Sequence, residues 1–115
     1  MRLPLTMALS LLTAVGALGL TSDCTPGSTA VQVIDCSNAP VEGARIDIKV
    51  CCGGNAASSA TTERHGLASF GNHIHDICQA TVSFAGFSPT SFDSGSCTRP
   101  DARGHVDCTV KVCKR

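Results

Sequence analysis

Beyond an apolar leader, hydrophobic and polar positions alternate in twos along the chain. Val31 and Val33 flank Gln32, with Ile34 and Asp35 following. Ile46, Ile48 and Val50 alternate with Asp47 and Lys49, and Ala80, Val82 and Phe84 with Thr81 and Ser83. Val106, Cys108, Val110 and Val112 alternate with Asp107, Thr109 and Lys111, and Leu67-Ala68-Ser69-Phe70 is a shorter run of the same kind. A period of two sends alternate side chains to opposite faces of a pleated strand, so each run predicts a strand with one buried face. Val, Ile, Thr and Phe, which carry the runs, suit such a surface. Turn chemistry separates them at Ser37-Asn38-Ala39-Pro40, at Cys52-Gly53-Gly54-Asn55, and at Gly86 and Pro89. Asn55 to Arg64 has alanines and serines but no apolar stripe, and reads as a loop with at most one helical turn. Asp93 to Gly104, rich in Ser, Gly, Pro and charge, reads as a long loop pinned by Cys97. Short strands, frequent turns and no amphipathic helix predict an all-β chain, a small antiparallel β-sandwich with little helix.

The leader follows a different pattern. Met1-Arg2 supplies one positive charge, and Leu3 to Leu20 carries none. Leu3, Leu5, Met7, Leu9, Leu11, Leu12 and Val15 give way to small residues at Ala14, Gly16, Ala17 and Gly19. This is the layout of a secretory signal, with cleavage expected after Gly19: a signal over 1–19 and a single domain over 20–115. A membrane anchor needs about 20 strongly apolar residues, and Pro4, Thr6, Ser10 and Thr13 dilute a shorter stretch. The expectation is a secreted, extracellular protein without membrane insertion.

Eight cysteines follow the leader: Cys24, Cys36, Cys51, Cys52, Cys78, Cys97, Cys108 and Cys113. An even number in an exported chain implies disulfides, here four. A thiolate zinc site wants C-x-x-C or C-x-x-H clusters, and none occurs. The pairing is open among many connectivities, with one restriction. Disulfide geometry wants Cα atoms about 5.5–6 Å apart, so the neighbours Cys51 and Cys52 should reach different partners. On a strand they would point to opposite faces, one bridge crossing the core and the other clipping the surface.

Charge and aromatic content narrow the partners. Without Arg2, eight Lys/Arg face nine Asp/Glu, a formal charge of −1, and no block of like charge occurs. Nucleic-acid and polybasic membrane surfaces therefore have no support. Trp and Tyr are absent and only four Phe occur, which leaves no stacking platform for bases or sugar rings.

Three segments, in order, resemble elements of transthyretin-like, carboxypeptidase-regulatory-like domains. Val31 to Ile48 contains a strand, a turn, then Pro40-Val41-Glu42-Gly43-Ala44 and a second strand. Thr61 to Phe70 places a Thr and a Gly before a short apolar strand, and Thr81 to Pro89 is a strand ending in a Gly-aromatic turn. The resemblance spans Val31 to Pro89 and implies a transthyretin-like or Ig-like sandwich. The usual Gly of the first turn is replaced by Cys36-Ser37-Asn38-Ala39, and eight cysteines are not a feature of that family. Such domains are mostly scaffolds, so the resemblance implies fold and almost no chemistry.

Chemistry has few candidates. His65, His73 and His75 with Asp76 could offer imidazoles to zinc or copper if His73 and His75 shared a strand face. The plainer reading places them in a solvated segment after the Gly71-Asn72 turn, with Ile74 and Ile77 as its buried members. Bridged cysteines offer no nucleophile, no Gly-x-Ser-x-Gly elbow occurs, and Gly53-Gly54 lacks the lysine of a phosphate loop. No catalytic residue and no cofactor is expected. The leading expectation is a non-enzymatic, secreted interaction protein, similar in composition to the cysteine-rich effectors and elicitors of filamentous fungi. It would meet a protein partner, of a host for an effector, outside the producing cell, through the Cys51 to Arg64 and Asp93 to Gly104 loops or by edge-strand pairing. The alternatives are an extracellular small-ligand or metal carrier using His65, His73 and His75, and a toxin or protease inhibitor.

Overall fold

The computed structural model describes residues 24–115, so the signal expected over 1–19 lies outside the described residues. Seven strands follow one another: β1 (Ser28–Asp35), β2 (Arg45–Val50), β3 (Ala56–Thr61), β4 (Leu67–Phe70), β5 (Ile77–Ser83), β6 (Thr90–Ser91) and β7 (His105–Val112). Three 3₁₀ turns, Arg64–Gly66, Ile74–Asp76 and Ser94–Ser96, are the helical residues among those described. The strands form two sheets in the orders β4-β1-β7 and β3-β2-β5-β6. Every alternating run forms a strand, and most of the apolar positions are its buried face: Val31, Val33, Ile46, Val82 and Val106 are fully enclosed, while Leu67 is exposed and Phe84 lies half-buried beyond β5. Burying a Val or Ile side chain contributes roughly 1.5–3 kcal/mol, and these inward faces join the sheets. Among the described residues no helix is long and apolar enough to cross a membrane.

The expected sandwich is present, with two features that alternation does not carry. The first is that β1 and β7 run parallel, in register from Ser28↔His105 to Asp35↔Val112, while the other strand pairs are antiparallel. Parallel neighbours need a long crossover, and here everything between the two strands serves as one. The second is β3. The segment expected to be a loop pairs with β2 from Arg45↔Thr61 to Val50↔Ala56. Alanine and serine have little strand preference of their own, so pairing with β2 makes this segment a strand.

Four bridges form, Cys24–Cys52, Cys36–Cys113, Cys51–Cys78 and Cys97–Cys108, and no described cysteine is free. Cys51 and Cys52 do reach different partners. The expected core-crossing bridge does not occur, and a β-bulge is the reason. Lys49 lies opposite Gln79 but Val50 opposite Ile77, which leaves Cys78 as the extra residue. Regular alternation would send Cys78 inward with Ala80 and Val82; the bulge brings it to the surface, where it meets Cys51 of the neighbouring strand's end. Cys24–Cys52 ties the segment before β1 to the turn after β2, and Cys36–Cys113 ties the shared ends of β1 and β7.

Polar side chains fix the turns. Buried Thr62 donates its hydroxyl to the Val41 carbonyl (2.7 Å) and accepts the Ala44 N–H (2.9 Å), closing the bend between β1 and β2. In the turn after β1, Asn38 takes a positive φ of 67°, a conformation Asn tolerates better than most residues. Asp35 Oδ1 accepts the Ser37 and Ala39 N–H groups there, and Asp101 Oδ1 accepts those of Arg103 and His105 ahead of β7. These backbone donors hold both carboxyls below the usual carboxylate range, led by Ala39 for Asp35 and by His105 for Asp101. A folded-state pKa below the unfolded one stabilises the fold above the unfolded value, about 3.9 for Asp. That contribution is lost as pH falls through the folded values. The urea midpoint should therefore drop between roughly pH 5 and pH 2, and the drop should shrink in an Asp35→Asn/Asp101→Asn variant.

Candidate functional site

The sandwich has a closed side and an open one. On the closed side, the Asp93–Gly104 segment covers the outer edge of β7. Cys97 bridges to buried Cys108, the Thr98 N–H donates to the Asp107 carbonyl (2.9 Å), and the Thr98 hydroxyl accepts the Asp107 N–H (3.0 Å). Asp93 caps its 3₁₀ turn by accepting the Gly95 N–H (2.8 Å). This loop, one of the two expected recognition surfaces, is pinned to β7 at Cys97 and Thr98.

On the open side lie β3 and β4, each the edge of its sheet. Between them runs a groove of about 400 Å³, lined by Ala60, Thr61, Glu63, Arg64, Leu67, Ala68 and Ser69. Leu67 is the exposed large hydrophobic residue among those described, at 46%. No side chain of β3 is charged, and among the described residues neither Glu63 nor Arg64 joins an ion pair. Edge strands usually carry charge, proline or a bulge that discourages pairing. Over its six residues β3 has no proline and pairs with β2 without a register shift.

The histidines do not converge as three metal ligands would. His65 sits in the turn before β4, its carbonyl accepting from the Gln32 side chain (3.1 Å), whereas His73 follows the far end of that strand. About 10 Å of strand separates the two ends. His73 and His75 do not share a strand face either: they flank the start of a 3₁₀ turn, rings 4.6 Å apart, and His73 Nδ1 accepts the His75 N–H (3.1 Å). The reading of His73 as a solvated residue is corrected, since it is 4% exposed. Its ring packs against two glycine backbones: a Cβ on Gly27 would stand 2.7 Å from His73 Cδ2, and one on Gly104 3.2 Å. Ile74 is buried as expected, while Ile77 is only half-buried. His73→Ala should cost about 1–3 kcal/mol, because it strands the His75 N–H and opens this packing. His75→Ala, at an exposed position, should stay within about 0.5 kcal/mol. Chemical denaturation of the two single variants separates them.

Two other polar groupings arise from the fold. Ser28 Oγ lies 2.8 Å from His105 Nδ1, and His105 Nε2 lies 3.2 Å from Asp107 Oδ1. No local motif signals this, because the parallel register brings Ser28 beside His105 from the far end of the chain. The Asp107 side chain is 70% exposed, and the Ser28 amide is committed to the Gly104 carbonyl (3.2 Å), so this amide is not available to steady an oxyanion. The grouping fastens the starts of β1 and β7. Cys24, Cys52 and Asp76 also bring donor atoms together, but both sulfurs belong to one disulfide, and Asp76 accepts the Thr25 N–H (2.6 Å).

No protein-family model matches this sequence, and no curated protein matches it. Solved structures share the architecture. Hydroxyquinol 1,2-dioxygenase from Pseudomonas putida superposes with a TM-score of 0.60 at 10% identity, over 83% of this chain and 58% of that one. Catechol 1,2-dioxygenase from Acinetobacter gives 0.59 at 10% identity, over 82% and 54%. The group B streptococcus pilus 2b backbone protein gives 0.52 at 14% identity, over 77% and 41%. The chain thus spans little more than half of either dioxygenase. At these identities the likeness shows a fold, a small cysteine-rich β-sandwich, and transfers no activity. Its four disulfides suit an oxidising, extracellular environment.

Proposed function

We propose that this is a secreted interaction module, of the effector or elicitor type, that holds an extended segment of a protein partner on its open side. The observation that carries the reading is the uncharged, bulge-free edge of β3 facing the edge of β4 across a groove that exposes Leu67. Edge strands recognise partners through main-chain hydrogen bonds, with side-chain pockets adding selectivity. A leader with signal-peptide layout and four bridges support action outside the producing cell. The ordered resemblance of Val31 to Pro89 supports kinship with transthyretin-like domains, which serve as scaffolds. A photo-crosslinking residue placed at Thr61, in the groove, should capture a partner from extracellular fluid. The same residue at Arg99 or Lys111, both exposed elsewhere, should not. Adducts from Arg99 would move recognition to the Asp93–Gly104 loop, and adducts from none of the three would sink the interaction reading.

A further inference from the structure

The open side has a defined shape, and its consequence rests on the interaction reading above. In register, Ala56, Ser58 and Ala60 of β3 lie opposite Val50, Ile48 and Ile46 of β2. Residues opposite each other project to the same face, so these three point toward the core side. Val50, Ile48 and Ile46 are buried there, yet Ala56 and Ser58 are exposed and Ala60 is half-buried. The cause is a difference in strand number. Three strands face four, and β4, with four residues, leaves most of β3's inner face uncovered. In a sandwich the two inner faces interdigitate across about 10 Å; the groove beside Leu67, Ala68 and Ser69 is where a further strand of the three-stranded sheet would run.

We propose that an extended segment of another protein adds to the outer edge of β4, at the Leu67 N–H and at Ser69, the Leu67 carbonyl already accepting the Glu63 N–H (2.8 Å), and lays alternate apolar side chains over Ala56, Ser58 and Ala60. The small side chains of β3 leave depth for branched apolar groups, and the uncharged strip selects an uncharged run. Among the described residues no strand of the chain occupies that place.

The probe is a capped peptide, acetyl-Lys-Thr-Val-Thr-Val-Thr-Lys-amide, titrated into the oxidised mature protein and followed by amide exchange and NMR shifts. Exchange should slow at Leu67 and Ser69, whose amides face away from β1. Ser58→Lys, which puts a charge on the inner strip, should weaken binding by about tenfold or more, while Ser59→Lys on the outer face should leave it unchanged. Both positions are exposed, so neither variant disturbs the core, and Ala56→Lys repeats the inner-face test. Protection confined to β3, or equal effects of Ser58→Lys and Ser59→Lys, would overturn addition at β4 while leaving edge recognition intact. No binding up to about 1 mM would overturn it as well, leaving the crosslinking from Thr61 to judge the wider reading. Concentration-dependent dimerisation abolished by Ser58→Lys would assign the place to a second copy and overturn the assignment to another protein.

Discussion

Replacing Cys36 and Cys113 together with alanine is expected to destabilise the protein more than replacing any other exposed bridge. These two residues are 77 apart in sequence, against 27 for Cys51–Cys78, and all four are exposed. On the chain-entropy account, closing a loop of the first size contributes about 4.5 kcal/mol and one of the second about 3.6 kcal/mol. The larger value is comparable to the net stability of many small domains. For a domain of this size each kcal/mol shifts the melting temperature by about 4–8 °C, so the Cys36→Ala/Cys113→Ala variant should melt roughly 20–35 °C lower. The position of the bridge adds a reason. It closes the ends of the parallel pair β1–β7, whose two strands come from opposite ends of the described chain. Without it, the unfolded ensemble must bring them together with only Cys51–Cys78 and Cys97–Cys108 to shorten the path. Differential scanning calorimetry of the two double variants checks the order; a smaller loss for the Cys36/Cys113 pair would mean that unfolded-chain entropy is not what this bridge supplies.

Sequence periodicity made legible those parts of the fold whose burial is local to a strand. Val31, Val33, Ile46, Ile48, Val82, Val106, Val110 and Val112 all occupy the buried face that alternation assigns them. What it missed was set by neighbours distant in sequence. Ala56–Thr61 has no pattern of its own and becomes a strand through β2. Cys78 sits at an inward phase, and only the pairing with β2 shows that a bulge carries it outward. The H-x-H spacing at His73 and His75 describes a strand face, but the backbone turns there, and His73 is enclosed by Gly27 and Gly104 from far along the chain. The groove was not legible, because its walls needed the placement of β3 beside β4. Leu67 reads like a core residue in sequence and is exposed because its phase in β4 points outward.

Gly66→Ala should be the most damaging single substitution near that groove. Gly66 has φ +72°, and a Cβ there would collide with the Val33 carbonyl oxygen and stand 3.1 Å from the Val41 nitrogen. Those two atoms are partners in a 2.9 Å hydrogen bond joining β1 to the following segment. The left-handed conformation costs an alanine about 1–2 kcal/mol, and forcing a methyl into a packed backbone contact costs about 1–3 kcal/mol more. A total of about 3–5 kcal/mol follows, from the sum of those two contributions and some weakening of the hydrogen bond. The neighbouring residue separates the two causes. His65 has almost the same φ, 70°, yet bears a side chain because it faces solvent. Conformation alone is therefore tolerated in this turn, and the collision is what requires glycine at position 66. Gly66→Asn eases the conformational cost without removing the collision, so it should fare little better than Gly66→Ala. Urea denaturation gives both values; a loss under about 1 kcal/mol for Gly66→Ala would show that the β1 backbone can move away. Because Arg64–Gly66 is the turn that sets β4 beside β3, the same variant should also weaken capture of a partner from Thr61.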